Sequence, residues 1–260
     1  MSWLELITLA LLPSFLLLDF FHRPHADKRS RWWRSRAFFV TAVNFWLSLL
    51  IGQAWGAFFG GASLLDGSVL GTVGGAIVGV LCYEFAHYWY HRTAHRNGWL
   101  WRLGHQMHHS AESLDAWGAY YLHPLDTALF VSISSLVLFP VLGLAPEAGA
   151  LAAAALTFLG IFQHVDLRTP RWLGYLIQRP ESHRIHHARG VHAHNYADLP
   201  LWDMLFGTFR NPEVNAPRRE QGFYRGASAR LVDMLLFRDV SHDVSRDVPR
   251  PTTLTTEKQS

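Results

Sequence analysis

Five stretches of this chain are apolar over most or all of a membrane's width: residues 3–21, 37–59, 69–90, 127–144 and 148–165. A helix rises 1.5 Å per residue, so about 20 apolar residues cross the ~30 Å hydrocarbon core. The first stretch is the least regular, with Glu5 and Pro13 inside it. It lacks the basic leader and small-residue cleavage motif of a signal peptide, which favours a membrane helix. The last two are joined across Leu144-Ala145-Pro146-Glu147, too short for anything but a tight helical hairpin. Gly71, Gly74, Gly75, Ala76 and Gly79 give the third a small-residue surface suited to close helix packing. The pattern predicts an all-α integral membrane bundle of about four to five membrane helices in two hairpins, with a polar helical cap. Residues 224–239 read as an interfacial amphipathic helix, and the polar stretch 240–260 as a disordered tail. Residues 1–239 read as a single domain.

Charge adds a direction. All 23 Lys and Arg fall in 23–36, 92–102 and 168–258, leaving the apolar stretches and the loops 60–68 and 144–148 without any. Alternate crossings then place every basic residue on one side, as the positive-inside rule requires. That side is the cytoplasm, with the cap and the C-terminus in it. The pI near 9.2 therefore reflects topology rather than nucleic-acid binding. Arg outnumbers Lys 21 to 2, which points to a GC-rich bacterial source and hence an inner membrane. The single Cys82 excludes a disulfide framework and a thiolate metal site.

Histidine supplies the chemistry. Thirteen of the 16 histidines lie between positions 87 and 194, and all thirteen are on the basic side. His87, His91 and His95 are spaced four apart, one face of a helix continuing the third apolar stretch. His105, His108 and His109 repeat as His-x-x-His-His, and so do His183, His186 and His187; each triplet is expected to present one side of a helix. The imidazole count exceeds what one ion can take and implies two. No His-Glu-x-x-His run and no nucleophile beside a base supports hydrolysis. His22, His25 and His242 read as solvated, and Trp89, Trp99, Trp101 and Trp202 as interfacial anchors. Glu84, Asp115, Asp166 and Asp203 are candidates to orient imidazoles through their second nitrogen. Asp203 reads equally as a helix cap.

YWYHRTAH (88–95), HQMHHS (105–110), HRIHH (183–187) and NYADLPLWDMLFGTF (195–209) resemble the histidine boxes and closing signature of the fatty acid hydroxylase/sterol desaturase superfamily. The likeness spans roughly 84–210. It implies a cytosolic cap over membrane helices and a histidine-bound di-iron centre using O2 to hydroxylate a lipid C–H bond. Carried over by motif, the ligands are His91 and His95; His105, His108 and His109; His183, His186 and His187; and His164 at the end of the last membrane helix. His87, His123, His194, Glu84 and Asp166 are possible ligands or supporting groups. Members with a fused haem domain carry their own electron donor. Without one here, electrons are expected from a separate ferredoxin- or cytochrome b5-like protein, or a reductase. HRTAH, HQMHHS and NYAD are also similar to ether-lipid (alkylglycerol) monooxygenases, and desaturation on the same centre is the other expected chemistry. A histidine-rich metal transporter is the remaining alternative; it would place ligands along the helices, whereas here they gather at helix ends.

Overall fold

A computed structural model describes residues 3–21, 29–214, 216 and 219–242. The expected tail beyond His242 and the histidines at 22 and 25 lie outside these residues. The chain is helical, and among the described residues its one β-bridge pairs Ala188 with Gln221. Five apolar helices form the bundle: α1 (Trp3–Phe21), α2 (Trp33–Phe59), α3 (Gly71–Ala94), α4 (Pro124–Leu136) and α5 (Pro146–Phe162). Three apolar stretches are long enough to cross a membrane: Trp33–Phe59, Gly67–Ala94, which adds a 3-10 turn before α3, and Pro124–Val141, which continues α4 through a π turn. Leu6–Phe21 and Pro146–Phe162 are apolar but shorter.

α3 and α1 both pack along α5, and α2 packs along α4. The small-residue surface of α3 packs at Gly75, Ala76 and Gly79, whereas Gly71 faces open space and Gly74 meets only Leu70. A side chain added at Gly75 would stand 2.9 Å from the Ala148 Cβ, and one at Gly79 would stand 2.8 Å from both Leu138 and Leu144. Phe38, Phe39, Trp46, Leu50 and Phe58 of α2 stay exposed, an apolar surface that only lipid would cover favourably.

At the end away from the cap, the two loops zip together. Leu64 and Leu65 donate to the carbonyls of Pro140 and Val141, and Gly67 donates to that of Leu142 at 2.7 Å. Pro140 lies in the last turn of the helix, where the following N–H groups bond to Val137, Phe139 and Leu138, so its carbonyl is free for this contact. Gly143 closes the turn at φ +62°, with the Leu65 carbonyl 2.1 Å from where a Cβ would be.

The cap is built from short elements: a helical segment at 98–109 with a π turn at Trp101–His105, then α6 (Pro180–His186), α7 (Pro200–Leu205) and α8 (Leu231–Leu235). Residues 224–239 do not make the single helix their pattern suggests. Gly226 turns left-handed at φ 92°, leaving a 3-10 turn at Ala227–Ala229 before α8, and Phe237 at φ 59° ends it. Buried Met234 holds α8 down while Val232, Leu235 and Leu236 face outward.

The loop zipper can be tested at its turn. Gly143→Ala combines a left-handed strain of about 1–2 kcal/mol with a backbone clash, and a loss of roughly 2–4 kcal/mol is expected. Gly52→Ala, in open space within α2, should be neutral or slightly stabilising. Unfolding in detergent should separate the two variants clearly.

Candidate metal centre

α3 carries His87 and His91 in its last turns, and His95 caps it. The segment 98–109 brings His105, His108 and His109 underneath, α5 ends just before His164, and α6 supplies His183, His186 and His187. All are buried except His95, which is partly buried. Nine of these rings fall into two groups. His91, His95, His105, His109 and His186 form one; His108, His164, His183 and His187 form the other; within each, one ligand atom per residue lies within 4.8 Å of all the rest. The two groups touch: His109 stacks on His187 with centroids 4.1 Å apart and planes 13° apart, and His183 on His186 at 5.0 Å.

The triplets do not each serve one side. His105 and His109 join the first group while His108 joins the second; His183 and His187 join the second while His186 joins the first. Helix geometry explains the split. Residues four apart are offset by about 40° and share a face, but the two adjacent histidines differ by about 100° and look to different sides. The two segments use the motif in reversed roles, one giving its pair and the other its single ring to each group.

In the first group the rings are aimed from behind. His91 donates through Nδ1 to the Tyr196 carbonyl at 2.6 Å, and His186 through Nδ1 to the His194 carbonyl at 2.7 Å. His105 Nδ1 meets the Asp126 carboxylate at 2.9 Å, and His109 Nδ1 meets His192 Nδ1 at 3.1 Å. A carbonyl only accepts, so the proton of His91 and of His186 sits on Nδ1 and the lone pair on Nε2 points inward. The Nε2 atoms of His91, His95, His105, His109 and His186 are all buried with no hydrogen-bond partner. Each such nitrogen costs about 1–3 kcal/mol unless something binds it.

The second group makes the same point differently. His164 Nε2 stands 3.1 Å from both His108 Nε2 and His183 Nε2, and His187 Nε2 stands 3.0 Å from His183 Nε2. A ring nitrogen carries either a proton or a lone pair, so the two central atoms cannot each hydrogen-bond both neighbours. Nitrogens bound to one ion at about 2.0–2.1 Å stand roughly 3 Å apart when adjacent. His164 is aimed by its Nδ1, which donates to the Gly160 carbonyl at 2.7 Å. Burial, reinforced by neighbouring imidazoles, holds His95, His108, His109, His183, His186 and His187 well below the ordinary imidazole pKa, and burial alone takes His164 to about 4. Neutral rings with inward lone pairs are the form in which imidazole binds metal. Both groups fit a transition-metal ion.

The segment 192–199 acts as a collar. His192, His194 and Asn195 all have positive φ, at 39°, 69° and 51°. Such strain persists only where surroundings impose it. Asn195 donates to the carbonyls of Ser182 and Arg210, Asp203 accepts from the backbone of Tyr196 and Ala197, and Glu84 Oε2 accepts from that of Asp198 and Leu199. These contacts give the Asn-Tyr-Ala-Asp run its role: they fix the carbonyls that aim His91 and His186.

Several expected residues lie elsewhere. His123 caps α4, its Nδ1 accepting from the Leu125 backbone at 3.1 Å. Asp166 pairs with Arg184, and Asp115 with Arg29, Trp33 and Ser113. His194 contributes its carbonyl rather than its ring. His87 stacks on His91 but belongs to neither group. Trp101 is no interfacial anchor; it packs against His95, His109 and His192. Asp126 and His192 are supporting groups that pattern reading passed over. The signal for Asp126 was the His-Pro-Leu-Asp run, whose acid rather than its histidine reaches the centre. His192 sits in irregular backbone, where spacing predicts no direction.

The fatty acid hydroxylase family model matches residues 76–208, about half of the chain. The chain belongs to the fatty acid hydroxylase family. Both histidine groups lie wholly inside the matched region. The chain is 33% identical over 141 residues to ornithine lipid hydroxylase OlsE of Rhizobium tropici, covering 52% of this chain and 42% of that protein. It is 33% identical over 137 residues to human alkylglycerol monooxygenase, covering 48% and 28%. With sphinganine C4-monooxygenase 1 of Arabidopsis thaliana it shares 26% over 151 residues, covering 56% and 58%. The chain thus spans less than two thirds of these relatives. No solved structure matches it.

Asp126 gives this family site a direct test. Asp126→Asn keeps the shape but replaces the charged acceptor behind His105. Loss of such a supporting carboxylate typically weakens metal binding 10–100-fold. Chelator competition should show one ion leaving more readily while the other is retained as in the wild type.

Proposed function

We propose that this protein is a membrane-bound di-iron enzyme that uses O2 to hydroxylate a C–H bond of a lipid. The observation that carries the reading is the pair of all-imidazole groups sharing a stacked boundary, inside a family whose relatives here are named as lipid hydroxylases and monooxygenases. His91, His95, His105, His109 and His186 would hold one iron; His108, His164, His183 and His187 would hold the other. When bound, the pair would supply the redox activation of O2 that no protein side chain provides.

The protein's own part is positional. The collar carbonyls, Asp126, His192 and the Gly160 carbonyl keep Nε2 atoms inward, so the rings need no reorganisation as the metal charge changes. Burial keeps bulk water from the reactive centre, which protects a strong oxidant from side reactions. The apolar helices α1–α5 end beside the cap, so a lipid chain entering from the bilayer would meet the centre without crossing water. Electrons would come from a separate donor on the basic face. That face would be cytoplasmic, in a bacterial inner membrane, because every Lys and Arg lies in the segments it gathers.

Expression with candidate bacterial lipids should yield a product heavier by one oxygen; a product lighter by two hydrogens would make the enzyme a desaturase on the same centre. His108→Ala and His186→Ala should each lose bound iron and at least a hundredfold of product formation. Turnover that survives complete iron loss would overturn the reading. Orientation is separately testable after Cys82→Ala. Leu64→Cys, 81% exposed, should react with an impermeant thiol reagent in intact cells, and Arg225→Cys only after permeabilisation.

A further inference from the structure

One turn deeper along α3 than His91 lies a second kind of polar cluster, which the imidazole groups do not include. Glu84 and His87 of α3 meet Asp198 of the collar, their ligand atoms within 4.8 Å of one another. They are 0%, 6% and 8% exposed. Each carboxylate is half used. Glu84 Oε2 takes two backbone N–H groups, and Asp198 Oδ1 takes the Gln163 amide at 2.7 Å. What remains is unmatched: Glu84 Oε1 and His87 Nδ1 are buried without a hydrogen-bond partner. His87 Nδ1 stands 3.7 Å from Glu84 Oε2, too far for a hydrogen bond.

Charge sharpens the question. Among the described residues neither carboxylate is paired with Lys or Arg, and 37–91 and 103–167 contain no basic residue that could supply one. Two buried carboxylates, Glu84 on a membrane helix and Asp198 on the collar, are expensive uncompensated, and one imidazolium would offset only half of their charge. A doubly charged ion offsets it fully, and it also gives both orphaned atoms a partner. The donors are two oxygens and one nitrogen, unlike the all-nitrogen groups above, so this position favours an ion tolerant of carboxylate.

We propose that Glu84, His87 and Asp198 form a third divalent-cation site, taking an ion such as Zn2+ or Mn2+, beside the two imidazole groups. His87 stacks on His91 with centroids 5.3 Å apart and planes 10° apart, so this ion would lie next to the first group and add its field to that group's. The site stands on its own donors and does not require the oxygenase reading.

Purified full-length protein is loaded with Zn2+ alone, desalted, and its metal counted per chain. Three ions are expected in the wild type and two in His87→Phe, which keeps the ring stack, and in Asp198→Asn, which keeps the Gln163 contact. Mn2+ loading followed by electron paramagnetic resonance should show a signal lost in the same two variants. Two ions in the wild type, or three in both variants, would overturn the inference. Fewer than two in the wild type would overturn the imidazole centre as well.

Discussion

An imidazole has two nitrogens, and only one can face a metal. The hydrogen bond at the other nitrogen decides which, and this is the constraint on which the architecture turns. His91 and His186 are fixed by the carbonyls of Tyr196 and His194, His105 by Asp126, His109 by His192 and His164 by Gly160. Two of those acceptors are backbone atoms in a strained loop, so the loop must itself be pinned. Asn195 anchors the loop outward to Ser182 and Arg210, while Asp203 of α7 and Glu84 of α3 hold its backbone from outside. A motif that looks like a run of unrelated polar residues is therefore one device for holding two carbonyls still.

The same constraint sets the cost of the fold. Five inward Nε2 atoms have nothing to bind and the four of the second group cannot all pair with one another, each unmatched nitrogen an expense of about 1–3 kcal/mol against a net stability of only about 5–15. An ion removes that expense at a stroke, so folding of the cap and metal binding are linked. The helices beneath answer a different demand. In lipid there is no hydrophobic drive between them, and close packing must come from small residues. Gly75 and Gly79 meeting Ala148, Leu138 and Leu144, with the zipped loops at the far end, supply it.

Much of this was readable from the chain. Hydropathy gave the five apolar helices nearly to their ends, because length and composition alone decide whether a helix suits a bilayer. The nine clustered histidines were the nine expected, His164 through the family likeness rather than through spacing. What spacing could not show was partition. His105, His108 and His109 look like one face until two adjacent side chains are seen to diverge by about 100°. Nor could it show what sits behind each ring, since Asp126, His192 and the collar carbonyls come from distant segments. Residues 224–239 failed for a local reason, a glycine at positive φ where amphipathic periodicity predicted continuity.

The partition has a mechanical consequence. Because 98–109 and α6 each feed both groups, a movement of either segment disturbs both groups at once, whereas a change behind one ring reaches only its own group. A rotation of either segment that improved the aim of its pair would turn its single ring away from the other group. The stacked His109 and His187 rings lie on that shared boundary, one from each segment and one in each group. Substituting one ligand removes one donor. Changing the register of α6 by one residue would instead turn His186 toward the second group and draw His183 and His187 away from it. The relative register of these two short helical segments, held by Asn195 on Ser182 and by the Asp126 contact on His105, is thus what keeps two metal positions separate and adjacent.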